Sequence, residues 1–147
     1  FNQLVTLPDS IAALTALKLL ILSYNKLVTL PDSMAALTAL EMLWLDGNQL
    51  VTLPDSIAAL SALKKLYLGG NKFATLPQPI VKLASLTELN LYGNQLVTLP
   101  DSIVALTALK TLNLHSNPLA KPQSSAVEAW LTALRAGSCT VSMPRGW

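Results

Sequence analysis

Apolar side chains recur along this chain in two interleaved rhythms. In Leu40-x-x-Leu43-x-Leu45 the last two leucines alternate with period two. They therefore share one face of an extended strand, while Met42, Trp44 and Asp46 share the other. In the segment that follows, Leu53-Pro54-Asp55-Ser56-Ile57-x-x-Leu60-x-x-Leu63, the residues Ile57, Leu60 and Leu63 return every three positions. That spacing suits a short 3₁₀ or α turn. Pro54 fixes φ, and Asp55 and Ser56 are residue types that favour a helix start. The pattern predicts a short strand, a polar bend and a compact helical turn that leads the chain back.

The whole unit is copied. Leu-Pro-Asp-Ser-Ile begins at Leu7 and returns at Leu30 (ending in Met34), Leu53 and Leu99, with Leu76-Pro77-Gln78-Pro79-Ile80 in the remaining slot, always 23 residues apart. The leucine pairs Leu20/Leu22, Leu43/Leu45, Leu66/Leu68, Leu89/Leu91 and Leu112/Leu114 keep the same period. So do Asn25, Asn48, Asn71, Asn94 and Asn117, preceded by Asn2. A strand this short is unstable alone, but stacked copies give a parallel sheet over a continuous leucine core. Each asparagine sits where the strand turns, and its amide can satisfy backbone groups left open there. We expect these asparagines to form a structural ladder. Between the apolar positions of the return turn stand mostly alanines, small enough for neighbouring turns to approach closely. Asp9, Asp32, Asp55 and Asp101 form a row read as solvated turn starts rather than a cation site.

The period breaks after Leu119. Pro122 comes one residue early relative to Pro100, and the leucine before it is missing. Ser125-Ala126-Val127-Glu128 has capping-box spacing, and Val127, Trp130, Leu131 and Leu134 follow at i, i+3, i+4 and i+7. Gly137 stands where that helix should stop. The expected organisation is therefore about five repeat units over 1–119, the first one truncated, and a C-terminal cap over 120–147. Within the cap we expect a helix at about 124–136, a strand at about 139–143 and a loose tail. No comparable cap precedes Asn2, so the N-terminal end is expected to be open or continued by further repeats.

Leu40-x-x-Leu43-x-Leu45-x-x-Asn48-x-Leu50, with its Leu-Pro-x-x-Ile-x-x-Leu second half, resembles the leucine-rich repeat family, and its length most resembles the Ras-group and Roco-type class. The resemblance covers roughly residues 1–119. It implies an α/β fold: a right-handed leucine-rich-repeat solenoid in a horseshoe arc, with an inner parallel sheet and short convex turns. It also implies an intracellular scaffold or adaptor, with small GTPases, kinases or phosphatases as partner classes.

Composition changes this picture little. The chain is 52% hydrophobic and only 12% charged, with a mean hydropathy of +0.47. A membrane span needs about 20 consecutive apolar residues, and the most apolar window, Ile11 to Leu22, contains Thr15 and Lys18. No membrane insertion is expected, and so large an apolar content argues against disorder. A net charge of +2, with no basic run beyond Lys64-Lys65, gives no reason to expect nucleic acid. The single cysteine excludes an internal disulfide, and no Asn-x-Ser/Thr sequon occurs, which fits the cytoplasm.

Candidate chemistry is sparse. His115 is the one histidine and Cys139 the one thiol, the latter expected to be buried in the cap. Gly47, Gly70 and Gly93 precede ladder asparagines and match no phosphate-binding loop. No catalytic group, cofactor site or metal site is expected.

Specificity is expected on the outward face of the strands, because those slots differ between units while the convex half stays nearly constant. The slot before each leucine pair reads Leu19, Met42, Lys65, Glu88, Thr111. The slot between reads Ile21, Trp44, Tyr67, Asn90, Asn113, and the slot after reads Ser23, Asp46, Gly69, Tyr92, His115. Leu19, Ile21, Met42, Trp44 and Tyr67 compose an apolar, aromatic patch of the kind that marks an interaction site. Asp46, Lys65, Glu88, Asn90, Tyr92, Asn113 and His115 extend it as a polar margin. The expected function is non-catalytic binding of a protein partner on this concave face. Two other readings remain: a sensing arm of a larger enzyme (a Roco GTPase, kinase or ubiquitin ligase), and an engineered or duplicated array without an evolved ligand.

Overall fold

The computed structural model describes residues 2–147. Six three-residue strands, β1 (Leu19–Ile21), β2 (Met42–Trp44), β3 (Lys65–Tyr67), β4 (Glu88–Asn90), β5 (Thr111–Asn113) and β6 (Thr140–Ser142), form one parallel sheet in chain order. The repeat sets the register directly: Leu43 pairs with Leu66 and Trp44 with Tyr67, so equivalent residues of successive units stand side by side. This is a leucine-rich-repeat solenoid with a helical cap.

The return turns are 3₁₀ helices at Asp9–Ala13, Asp32–Ala36, Asp55–Ala59, Gln78–Lys82 and Asp101–Ala105. Their rhythm of three has a direct cause. The N–H of Ile57 donates to Pro54, that of Leu60 to Ile57 and that of Leu63 to Leu60, each at 3.0 Å. Such i to i−3 bonds align every third side chain, and these are the apolar ones turned to the core. Asp and Ser open four of the five turns, as their residue types suggest, and no side chain caps any of the five. Pro occupies the position before each turn, and two of the aspartates bond to the neighbouring unit. Asp9 accepts from Ser33 Oγ at 3.2 Å, and Asp101 accepts from Ser124 Oγ.

One residue before each ladder asparagine the backbone enters the left-handed region, at Tyr24, Gly47, Gly70, Gly93 and Ser116, with φ between 57° and 66°. Glycine takes that conformation freely, whereas tyrosine and serine hold it under strain.

The core is a single column of leucines. Phe73 stands in the slot of Leu27, Leu50 and Leu96 and is fully buried. In the first unit the same slots lie open: Leu4 is 43% and Leu14 49% exposed, whereas Leu27 and Leu37 one unit on are sealed.

At the other end α1 (Ser125–Ala136) buries Val127, Trp130, Leu131 and Leu134 against the last repeat. One expectation shifts by one residue here. The cap is Ser124, whose Oγ accepts from the Val127 N–H at 3.3 Å, and Glu128 reaches back to the N–H of Gln123 at 3.0 Å. Ser125 is already helical, so the residue before it must do the capping. The helix stops at Gly137 as expected; Gly137 keeps φ at −82°, and the left-handed residue is Ser138 after it. Buried Gln123 fills the missing leucine's neighbourhood with polar bonds, accepting from Leu99 N–H at 2.8 Å and donating to Ala120 O at 2.6 Å.

Candidate protein-binding surface

Beneath the strands the asparagines bind the units to one another. Asn71 Nδ2 donates to Leu68 O of its own unit and to Leu45 O of the preceding one, both at 3.0 Å, and its Oδ1 accepts from Leu50 N–H at 3.1 Å. Asn48, Asn94 and Asn117 repeat this arrangement. Asn25 differs: its amide reaches Leu22 O, while its oxygen accepts from Leu4 N–H. The strand positions above are thereby fixed to hydrogen-bond precision.

On that frame the concave residues fall into three groups. The apolar group lies on β1, β2 and β3. Ile21 is 57% exposed, Leu19 and Trp44 are also exposed, and Met42 is half-buried. The rings of Trp44 and Tyr67 approach to 5.1 Å between centroids at an angle of 57°, a favourable tilted geometry.

The second group is charged. Tyr67 Oη donates to Glu88 Oε2 at 2.5 Å, and Lys65 Nζ meets Glu88 Oε1 at 2.8 Å. Lys65 holds Glu88 below the usual carboxylate range, with the Tyr67 bond adding to the effect. Burial first, then the negative Glu88, pushes the Tyr67 hydroxyl up to about 12.

The third group surrounds Asp46. Its Oδ1 accepts from the Gly69 N–H at 2.9 Å and from Asn90 Nδ2 at 3.4 Å. Burial raises its pKa, partly offset by the Gly69 bond. Asn90 Oδ1 and Asn113 Oδ1 accept from the backbone N–H of Tyr92 and His115, each at 3.0 Å, so these two amides serve the sheet as well as the surface. Tyr92 and His115 stack 5.9 Å apart within 6° of parallel, and His115 Nδ1 lies 2.8 Å from Ser116 Oγ.

Sequence reasoning passed over Tyr24. It lies at the edge of this face beside Gly47, and its signal was a bulky side chain in a slot held by glycine in the next three units. Away from the sheet, Cys139 is buried, with its thiol pushed up by burial. Among the described residues no group of His, Cys, Asp and Glu could hold a metal ion, and no helix is long and apolar enough to cross a membrane.

A parallel sheet ribbed by buried asparagines, with side chains that vary from unit to unit on its open face, defines a solenoid repeat protein. Residues 1–50 and 61–119 match the family model described as leucine rich repeat, and the chain belongs to that family. Leucine-rich repeats are a common protein–protein interaction module. A leucine-rich repeat protein of Leptospira interrogans superposes with a TM-score of 0.86 at 37% identity, over 97% of this chain and 35% of its own. The ectodomain of the plant membrane receptor kinase GASSHO1/SCHENGEN3 from Arabidopsis thaliana, in complex with Casparian strip integrity factor 2, superposes at 0.73 with 31% identity. That match covers 95% of this chain and 16% of the receptor's. The chain thus spans well under half the length of either structure. No curated protein matches it significantly.

Proposed function

We propose that the chain is a non-catalytic binding module that captures a protein partner on its concave face, as a scaffold or adaptor. The observation that carries this reading is the Trp44–Tyr67 ring pair, with exposed Leu19 and Ile21 beside it. The leucine column is complete without these side chains, so the fold does not account for them. Aromatic anchors with polar groups around them are typical of interface hot spots. The single thiol, the missing sequon and the Ras-group resemblance support an intracellular setting with a GTPase, kinase or phosphatase as partner.

The test is capture from the source cell by wild type and by Trp44→Ala/Tyr67→Ala. The double variant should keep its far-UV circular dichroism and nearly its melting temperature, yet lose the specifically captured protein. Identical captured sets would remove the reading.

A second reading has its own support. The chain spans 16% of a structure that is a receptor kinase ectodomain, which suits a sensing arm within a larger protein. Kinase or GTPase motifs in sequence contiguous with these repeats would favour it.

A further inference from the structure

Near the asparagine end of the concave sheet lies a notch of about 410 Å³, lined by Tyr24, Asp46, Gly47, Gly69, Gly70, Asn90 and Tyr92. Its origin is visible in the repeat. The slot after the leucine pair carries a side chain in every unit except the third, where Gly69 leaves a gap between Asp46 and Tyr92. A Cβ at Gly69 would come within 2.9 Å of Asp46 Oδ1, so the gap and the carboxylate position are coupled. Tyr24 walls the notch on the β1 side, packed so closely over Gly47 that a Cβ there would meet its ring at 2.6 Å. Tyr92 walls the β4 side, its ring backed by His115.

The carboxylate in this notch has hydrogen-bond partners but no counter-ion among the described residues. Asp46 is half-buried and accepts hydrogen bonds from the Gly69 N–H, its own backbone N–H and the Ser23 hydroxyl, with a long contact from Asn90 Nδ2, but no cation stands against it. The ion pairs among the described residues all belong to Glu41 and Glu88. A carboxylate removed from water without a counter-ion is held at a cost, and burial accordingly raises its pKa. An approaching cation would relieve that cost, and the Tyr92 ring at the rim, backed by His115, offers it a further attraction. A planar guanidinium matches such a site better than an ammonium, since it can pair with the carboxylate and stack on a ring together.

Resting on the concave-face reading, we infer that the Asp46 notch receives an arginine side chain of the protein partner, between Tyr24 and Tyr92. Asp46 follows Trp44 by two residues on the same face, so the arginine would enter beside the apolar anchor. The surface then selects for a partner segment with an apolar residue and an arginine side by side.

The test uses a short probe, acetyl-Gly-Gly-Arg-Gly-Gly-amide, titrated to about 10 mM, the range in which weak single-side-chain contacts saturate. The readout is the amide resonances of Gly69 and Gly70 and the side-chain NH₂ of Asn90. The expected result is a saturable shift of all three. The shift falls about tenfold or more with the uncharged citrulline peptide and with Asp46→Asn, as one lost charge-assisted contact requires. Asn keeps the shape and an acceptor for Gly69, and unchanged dispersion of the other resonances checks the fold. No saturable shift, an equal shift with citrulline, or an unchanged response in Asp46→Asn would overturn the arginine site. If that happens while Trp44→Ala/Tyr67→Ala still loses its captured protein, the concave-face reading survives and only the notch assignment falls.

Discussion

The Tyr67 hydroxyl donates to the Glu88 carboxylate one strand away, at 2.5 Å, and the same carboxylate holds Lys65 at 2.8 Å. The tyrosine that forms half of the aromatic pair is therefore tethered at its far end. Losing its proton would place two negative oxygens in contact, on a face already partly shielded from water.

An absorbance titration of the three tyrosines tests this tether. We expect Tyr67 to ionise near 12. In Glu88→Gln its transition should move down but stop short of 10.0, the ordinary value, because burial is the larger cause and persists. The sign for stability follows: an unfolded tyrosine ionises first, so unfolding becomes easier as pH rises from about 10 toward 12. A Tyr67 transition unmoved by Glu88→Gln would show that the bond does not hold the ring in solution.

The ladder makes a graded prediction. Asn71→Ala strands Leu45 O, Leu68 O and Leu50 N–H in the interior and should destabilise by about 1–3 kcal/mol. Asn25→Ala should cost less, because Asn25 lacks a second, preceding carbonyl and its Leu4 partner is partly exposed. Urea unfolding of both variants checks the order. A cost below about 0.5 kcal/mol for Asn71→Ala would contradict the ladder's structural role.

Alanine at the left-handed position separates backbone strain from crowding. Gly70→Ala and Gly93→Ala meet nothing closer than 3.6 Å, so each should cost only the left-handed penalty of about 1–2 kcal/mol. Gly47→Ala adds a clash with the Tyr24 ring and should cost clearly more. In a Tyr24→Ala background that excess should vanish, which thermal unfolding of the double variant would reveal. An unchanged excess would show that the ring does not sit over Gly47.

The fold was legible in the chain because it is translational. A 23-residue period maps each residue onto its neighbour in the next strand, so the Trp44–Tyr67 contact follows from two slots of equal phase. The ladder followed from the chemistry of an amide at a turn. Interactions that cross phases were not legible. Asp46 reaches Gly69 and Asn90, and Tyr67 reaches Glu88, through side-chain rotamers that no spacing records. The cap was read less sharply, because repetition stops there. With one copy to read, the capping-box spacing pointed to Ser125 where Ser124 does the capping, and the buried bonds of Gln123 left no pattern.

The central claim is that recognition occurs on the concave strand face, and position-specific photo-crosslinking tests it most directly. A benzophenone amino acid replaces Ile21 or Thr111, which are exposed on that face, or Asp32 or Ser61, which are exposed on the convex side. We expect one discrete adduct with the captured partner from Ile21, a weaker one from Thr111, and none from Asp32 or Ser61. Adducts arising from the convex positions, with Ile21 and Thr111 silent, would contradict the account.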